Sequence, residues 1–192
     1  MRKIEKYIIE YLLQIYPNII KRILLKKNIE IVIKKENILN FFNFLKKHTQ
    51  NKYILSDITC IDYLKNRKRF QIIYNLLSLQ HQNRLIIKIE ITENEIIESI
   101  CNIYTSANWL EREIWDLFGI YFSNHPDLRR ILTDYGFNGF CLRKDFPLSG
   151  FIEINYDEKM KKLIYNKLEL SQEFRFFDFD SPWESKKSKE NK

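Results

Sequence analysis

Glycine, proline and cysteine are scarce in this sequence, and the shortages of cysteine and of glycine each exclude a class of site. The 192 residues include only 4 Gly, 4 Pro and 3 Cys. The cysteines, Cys60, Cys101 and Cys141, lie about forty residues apart without a C-x-x-C pair, so the ligand patterns of zinc and iron–sulfur proteins are absent. An odd, sparse cysteine count is typical of a reducing compartment. The few glycines form neither a G-x-G-x-x-G motif nor a P-loop, which argues against nucleotide chemistry.

Long charge-free runs and clustered histidines are also missing. No window of about 18 residues lacks a charge, so the sequence predicts no bilayer-spanning helix. The three histidines, His48, His81 and His125, are scattered and predict no metal site. Glu5 and Glu10 interrupt the basic N-terminus, which indicates mature protein and not a transit peptide.

Charge and composition bound the class of protein. The hydrophobic fraction of 45% supplies one core, which predicts a single domain with a tail. The net charge of +7 is concentrated in the first half, which could face nucleic acid, anionic lipid or an acidic protein, or simply be solvated. Residues with AT-rich codons dominate, and Ala and Val occur once each, so an AT-rich genome such as an organellar one is a natural source.

Hydrophobic periodicity predicts an α+β fold, with helices packed on a mostly antiparallel sheet and followed by a long coil-rich C-terminal extension. A first amphipathic helix ends before Pro17, and a hairpin joins two runs across Gln80 to Asn83. The predicted domains are 1–122 for the α+β domain, 123–184 for an extended partner-binding segment and 185–192 for a disordered tail. The predicted strands are 29–34, 52–64, 69–79, 84–91 and 151–157, and the later helices are 37–47, 95–104 and 108–118.

The stretch ANWLEREIWDLFG combines acids, an arginine and two tryptophans on a predicted helix. Its apolar residues form a core stripe, which leaves Glu111, Arg112 and Asp116 on an exposed face with Arg112 and Asp116 spaced for an ion pair. Asn108 is the predicted N-cap, paired with Glu111, and Gly119 is the predicted left-handed C-terminal residue.

Two functions follow from these residues alone. A hydrolase would use Glu111, Asp116 and His125, although the arginine between the acids favours charge pairing over catalysis. A basic RNA-binding or ribosomal protein of an organelle is the alternative suggested by the net charge and the aromatic content. Against it, the aromatic residues lie in apolar runs and not between basic residues.

Three collinear motifs carry a stronger signal. They read W-x-E-R-E-x-W-D-x-F-G-I from Trp109, H-P-D-L-R-R-I-L-T-D-Y-G-F from His125 and L-R-K-D-F-P-L-S-G from Leu142. With RFQIIYNLLSL before them and SQEFRFFDFDSPWE after them, they resemble one subunit family of respiratory complex I. That family is called NADH dehydrogenase subunit 9 in mitochondrial genomes and the 30 kDa subunit in animals, and it has counterparts in bacteria.

The resemblance implies a non-redox core subunit of the matrix-facing peripheral arm of NADH:ubiquinone oxidoreductase, at the mitochondrial inner membrane and encoded by the mitochondrial genome. It implies a chain that binds no cofactor and meets the membrane only through the complex, which itself uses FMN, iron–sulfur clusters, NADH and ubiquinone. The implied partners are the large quinone-site subunit and the iron–sulfur subunits, without nucleic acid. The chain would hold the quinone-reducing module in shape, while electron transfer from NADH to ubiquinone drives proton translocation.

Charged residues of these motifs are the candidate site, either as an interface or as locks for the long loop, because arginine and aromatic anchors are typical of binding surfaces. No catalytic, cofactor-binding or metal-binding residue is predicted. The family has His-Pro where this chain has Phe140 and Cys141, a change compatible with a packing role. The candidates are Glu111, Arg112, Asp116, Arg129, Arg130, Arg143, Lys144 and Asp145.

Overall fold

The computed structural model describes residues 10–12, 14–15, 19–25, 29–47, 52–80, 82–175 and 177. Two compact units, residues 1–148 and residues 149–192, divide the chain. Among the described residues, no helix is both long enough and apolar enough to cross a membrane.

Among its described residues, the first unit contains seven strands and two α-helices whose full extent is described. A one-turn 3-10 helix, Lys35–Asn37, leads into the first of these helices. The strands are β1 (Ile20–Leu25), β2 (Ile29–Ile33), β3 (Tyr53–Asp62), β4 (Phe70–Ser78), β5 (Asn83–Ile91), β6 (Ile97–Glu98) and β7 (Phe122–Ser123), and the helices are α1 (Ile38–Lys47) and α2 (Ala107–Phe118). Residues 10–12, 14 and 15 are also helical, and the rest of the predicted first helix lies outside the described residues.

The main sheet has the order β1-β2-β5-β4-β3, and every neighbouring pair is antiparallel except β2 with β5. The prediction of an α+β fold with a mostly antiparallel sheet is confirmed. The predicted hairpin is also confirmed, since Ser78 pairs with Asn83 where β4 turns into β5. Strict alternation of buried side chains along β4 and β5 explains why these strands were readable from the sequence.

Both helices cover the same face of this sheet. Phe70 and Tyr74 point to one face because they lie four residues apart on β4. The Tyr74 ring packs against Phe42 of α1 at 5.0 Å, and the Phe70 ring meets Phe118 of α2 edge-on at 6.4 Å. These aromatic contacts join the two helices and the sheet into one core, which also includes the buried isoleucines of β2, β4 and β5.

Residues 95–104 do not form the predicted helix. Ile97–Glu98 is instead a short strand parallel to β7, and the amide of Ser99 donates to the carbonyl of Ser123 at 2.9 Å. Pairing with a segment more than twenty residues away therefore outweighs the weak helical periodicity of this isoleucine-rich stretch. Three further strands, β1, β7 and a strand at residues 162–167, have no counterpart among the predicted elements.

In the described part of the second unit, considered by itself, β8 (Ile152–Asp157) and β9 (Lys162–Lys167) form a two-stranded antiparallel hairpin. The strand β8 confirms the predicted strand at 151–157. Residues 124–151, all of them described, contain neither helix nor strand, in keeping with the predicted coil-rich extension. The boundaries 1–122, 123–184 and 185–192 stay predictions, and residues 178–192 lie outside the described part.

Candidate loop-locking and interface site

Helix α2 buries two acidic side chains instead of exposing them. Glu111 and Asp116 are both fully buried, so the predicted exposed face of Glu111, Arg112 and Asp116 is wrong for the two acids. The buried stripe runs through Ala107, Glu111, Ile114 and Phe118, which follows the helical period. A buried carboxylate is costly unless donors surround it, and here those donors come from segments outside the helix.

Asp116 is enclosed by the loop that follows β7. Its Oδ2 accepts the backbone amides of Ile131 (3.1 Å), Leu132 (2.7 Å) and Thr133 (2.9 Å). Its Oδ1 accepts the guanidinium of Arg130 at 2.9 Å and the hydroxyl of Thr133. Burial by itself would raise the pKa of Asp116, but the Thr133 hydroxyl and the three amides outweigh it and hold that pKa far below its usual range.

Arg130 binds both the helix and the loop. Besides the Asp116 carboxylate, its guanidinium donates to the carbonyl of Gly139 at 3.0 Å. The same guanidinium lies 5.3 Å from the centre of the Phe140 ring and 5.8 Å from that of Phe137, within the range of cation–π attraction. Arg130 therefore connects the C-terminal half of α2 to residues nine and ten positions further along the loop.

Arg143 fastens the loop at a second point. Its Nε donates to the carbonyl of Phe118 at the end of α2 at 2.6 Å, and its Nη1 pairs with Glu93 at 2.6 Å. The guanidinium lies 4.6 Å from the centre of the Phe140 ring. Gly119 confirms the predicted left-handed helix end with φ of 75°, and a Cβ at this position would lie 2.5 Å from the Phe140 ring. Phe140 is therefore a packing residue in this chain.

Arg69, outside the predicted set, forms the centre of a third fastening. Its guanidinium pairs with Asp62 through two bonds of 2.9 and 3.0 Å and with Asp145 at 2.7 Å. The backbone amide of Lys144 donates to Asp62 Oδ2 at 2.8 Å. The hydrogen bond from Arg69 lowers the pKa of Asp62 and of Asp145. Lys144 thus takes part through its backbone, and Asp145 through its carboxylate.

Arg112 is half-buried and Arg129 is exposed. The predicted ion pair between Arg112 and Asp116 is wrong, because Arg112 donates to the carbonyls of Arg129 (3.2 Å) and Arg130 (3.3 Å) while Asp116 turns inward. Arg112 also lies over the exposed Trp109 ring at 5.5 Å. Arg129 forms an exposed pair with Asp127 at 2.9 Å, a kind of contact that contributes little to stability.

Glu111 belongs to a separate network at the other end of α2. Its carboxylate accepts the Ser99 hydroxyl at 2.6 Å, the Ile100 amide at 2.9 Å and the Cys101 thiol at 3.4 Å. His125 Nε2 lies 4.0 Å from the same carboxylate. Burial raises the pKa of Glu111, although these hydrogen bonds partly oppose the rise. The predicted capping role of Glu111 with Asn108 is wrong, since α2 starts at Ala107 and Asn108 lies inside it.

Chemically, this arrangement suits fastening better than catalysis. A hydrolase built on Glu111, Asp116 and His125 would need the acids to act together, yet Asp116 is saturated by donors from the loop. Glu111 and His125 are side chains without solvent exposure. Glu111, Asp116 and His125 therefore act as internal hydrogen-bond partners.

Sequence reasoning missed Asp62, Arg69 and Glu93. One signal was present: Asp62 and Arg69 carry opposite charges at the two ends of the polar loop between β3 and β4, so the hairpin brings them together. Glu93 offered no comparable signal, because its partners Arg69 and Arg143 lie 24 and 50 residues away and meet it only in the folded chain.

Comparisons with known proteins bear on the same segments. Residues 31–152 match a family described as respiratory-chain NADH dehydrogenase, 30 Kd subunit. The chain is 45% identical over 175 residues to NADH-ubiquinone oxidoreductase subunit 9 of Reclinomonas americana, covering 90% of this chain and 86% of the relative. It is 52% identical over 145 residues to subunit 9 of Prototheca wickerhamii, covering 75% and 76%. Among solved structures, a trypsin-resistant fragment (1-134) of Nqo5 is similar with a TM-score of 0.55 and 28% identity, covering 64% of this chain and 98% of the fragment.

Proposed function

We propose a function from one premise: this chain belongs to the family of the 30 kDa subunits of respiratory-chain NADH dehydrogenase. It is therefore a subunit of NADH:ubiquinone oxidoreductase, in the peripheral arm of complex I. Within that complex it acts as a scaffold that carries no electrons and holds the quinone-reducing module in shape for electron transfer to ubiquinone. This assignment replaces the prediction of an RNA-binding protein.

The observation that carries the scaffold role is the fastened loop of residues 125–148. Buried carboxylates of Asp116 and Asp62 hold its backbone by four amide hydrogen bonds, so its conformation is stabilised within the first unit. The same loop exposes large side chains, with Tyr135 98% and Leu148 89% accessible. The hydrogen bonds fix the loop before any partner binds, and its exposed aromatic and aliphatic side chains are available for contact. Such a loop can bind a partner surface with little loss of conformational entropy.

The second unit supports the same role independently. Two-stranded hairpins are marginal in water, and β8 and β9 expose large apolar side chains on both strands. Exposed apolar surface of this extent is typical of an interface. The exposed side chains of this unit are Phe151, Ile152, Ile154, Tyr156, Met160, Leu163, Tyr165, Leu170, Phe174 and Phe177.

The proposed partners are the large quinone-site subunit and the iron–sulfur subunits of the complex. FMN and the iron–sulfur clusters would then belong to those neighbours, and this chain would contribute positioning alone. The membrane would be reached only through the complex, on the matrix side of the mitochondrial inner membrane, with the gene in the mitochondrial genome. The candidate residues would act mainly by holding the loop in its conformation. The charged groups of Arg112, Asp116, Arg130, Arg143 and Asp145 all form hydrogen bonds that join the loop to the rest of the first unit.

Replacement of Arg143 tests this proposal. Arg143→Ala removes the bonds to Phe118 and Glu93 and the contact with Phe140, so we expect less assembled complex on native electrophoresis, with unchanged iron–sulfur EPR signals in the complex that remains. Arg84→Ala is the matched control, because Arg84 is an exposed arginine on β5 outside the loop, and it should assemble normally. Normal assembly of Arg143→Ala with lost turnover would contradict the scaffold and indicate chemistry.

A further inference from the structure

The loop between β3 and β4 carries cations that no acid neutralises. Lys65 and Arg67 lie in this loop, Lys144 lies in the long loop that follows β7, and all three residues are exposed. None of the three forms a salt bridge with another described residue. Three positive charges therefore remain uncompensated on the surface of the first unit.

The acids that contact the ends of the β3–β4 loop are already paired. Each of them accepts a guanidinium or an ammonium group of a residue other than these three, so none is left to balance the uncompensated charges. The pairs are Asp62 and Asp145 with Arg69, Glu90 with Lys68, and Glu93 with Arg69 and Arg143.

Hydrogen bonds hold the two loops together and fix the shape of the shorter one. The Lys144 amide donates at 2.8 Å to Oδ2 of Asp62, the last residue of β3. After the hydrogen bond from Arg69, the nearby charge of Lys144 is among the causes that lower the pKa of Asp62. Within the β3–β4 loop, the Tyr63 amide donates to the Arg69 carbonyl at 2.7 Å, and the Asn66 amide donates to the Tyr63 carbonyl at 2.9 Å. The Lys144 side chain thus lies at the base of a loop whose backbone is fixed.

Two large apolar side chains accompany the cations. Tyr63 is 39% exposed and Leu64 is 50% exposed, and both directly precede Lys65. We call Tyr63, Leu64, Lys65, Arg67 and Lys144 the basic surface. Tyrosine and arginine are enriched among the residues that dominate binding energy, and an uncompensated cluster of one sign attracts a ligand of the opposite charge.

We propose that the basic surface binds an acidic segment of a neighbouring protein subunit, with carboxylates against the three cations and an apolar side chain against Tyr63 and Leu64. This inference rests on the proposed function, because the occupant is another subunit of the same complex. It also extends the proposed partner surface, since Lys144 belongs to the loop of residues 125–148. Complementary charges at such a contact fix the register of the two subunits and speed their association.

The make-up of the basic surface favours a protein over the other polyanions. Surfaces that bind single-stranded nucleic acid stack successive bases on several aromatic side chains, whereas Tyr63 is the one aromatic residue here. Anionic bilayers are bound by clusters of about four to eight cations, more than the three found here. An acidic peptide segment needs only a few carboxylates and uses the apolar pair as well.

Zero-length cross-linking of the intact complex tests the proposal. A carbodiimide joins a lysine amine to a carboxylate in contact with it, so we expect Lys65 or Lys144 to be joined to an aspartate or glutamate of another subunit, identified by mass spectrometry. If the chain is present in the complex but neither lysine is cross-linked to another subunit, the proposal is overturned while the proposed function stands. Absence of the chain from the complex would contradict the proposed function itself, and this inference with it.

Charge reversal supplies a second test. Lys65→Glu combined with Arg67→Glu should lower the yield of assembled complex on native electrophoresis at least about threefold. The matched control combines Lys34→Glu with Arg84→Glu, which changes the net charge equally at exposed positions outside the basic surface and should assemble normally. Equal yields from the two double variants would overturn the proposal.

The fold of the charge-reversal variant is checked by urea unfolding of the isolated chain. Its midpoint should match that of the unaltered chain, because both replaced residues are exposed. If this variant does not fold, the cross-links of the unaltered complex decide the matter.

Anionic lipid is excluded by sedimentation of the isolated chain with vesicles of phosphatidylcholine, with and without phosphatidylserine. We expect no binding that depends on phosphatidylserine. Such binding, if lost in the Lys65→Glu and Arg67→Glu double variant, would assign the basic surface to lipid and overturn the proposal.

Discussion

The Oδ2 atom of Asp116 accepts the backbone amide of Leu132 at 2.7 Å, across sixteen residues of sequence. With the amides of Ile131 and Thr133 on the same oxygen, this contact makes one buried carboxylate the anchor of the loop. The loop thus depends on a single side chain of α2 at this point.

We expect Asp116→Asn to destabilise the first unit strongly. The amide keeps one acceptor oxygen but loses the charge that binds Arg130, and its NH₂ group faces donors. Breaking a buried charged network costs about 3 kcal/mol, so the urea midpoint should fall clearly. Asp127→Asn, at an exposed pair, serves as the control and should shift the free energy of unfolding by less than about 0.5 kcal/mol. Equal losses in the free energy of unfolding for Asp116→Asn and Asp127→Asn would contradict the anchoring role of Asp116.

The same carboxylate predicts a pH dependence. Its pKa in the folded chain is far below the value of about 3.9 found in unfolded chains. Asp116 therefore contributes stability that is fully present above about pH 4 and is lost as the pH falls through the folded pKa. Urea unfolding between pH 7 and pH 2 should show the unaltered chain losing its advantage over Asp116→Asn below about pH 4. If the difference in the free energy of unfolding between the two chains stays constant from pH 7 to pH 2, the prediction is contradicted.

Two glycines with the same backbone conformation should respond differently to alanine. Gly119 and Gly136 have φ of 75° and 77°, so either change costs about 1–2 kcal/mol of backbone strain. A Cβ at Gly119 meets the Phe140 ring and the Arg143 guanidinium, whereas a Cβ at Gly136 meets nothing within 4 Å. Gly119→Ala should therefore cost at least about 1 kcal/mol more than Gly136→Ala in thermal or urea unfolding. Equal costs would show that Phe140 moves aside freely.

Replacing Tyr135 distinguishes an effect on complex assembly from an effect on the stability of the chain. Its side chain is almost fully exposed, so Tyr135→Ala should change the free energy of unfolding of the isolated chain by less than about 0.5 kcal/mol. If the loop surface binds a partner subunit, the same change should lower the yield of assembled complex on native electrophoresis. Assembly that stays normal in this variant would remove Tyr135 from the proposed interface.

Prediction from the sequence succeeded where local pattern and tertiary environment agreed. Alternation along residues 70–91 predicted β4 and β5, because one face of these strands packs under the helices. It failed at 95–104, where Ile97 and Ser99 pair with β7, a partner that no local pattern reveals. The prediction that Glu111 and Asp116 lie on an exposed face of α2 failed for a related reason, since charged residues were assumed to face water.

The sequence by itself determined β2, β3, β4, β5 and β8, the hairpin between β4 and β5, the left-handed end of α2 at Gly119 and, through its collinear motifs, the family. These features depend on short-range periodicity and on residue order, which the chain carries directly. Only the tertiary structure decided that Glu111 and Asp116 are buried, that Arg69 binds Asp145 and that Cys101 and His125 both approach Glu111. Burial of a charge is favourable only when donors from distant segments converge on it, and that convergence exists only in the folded chain.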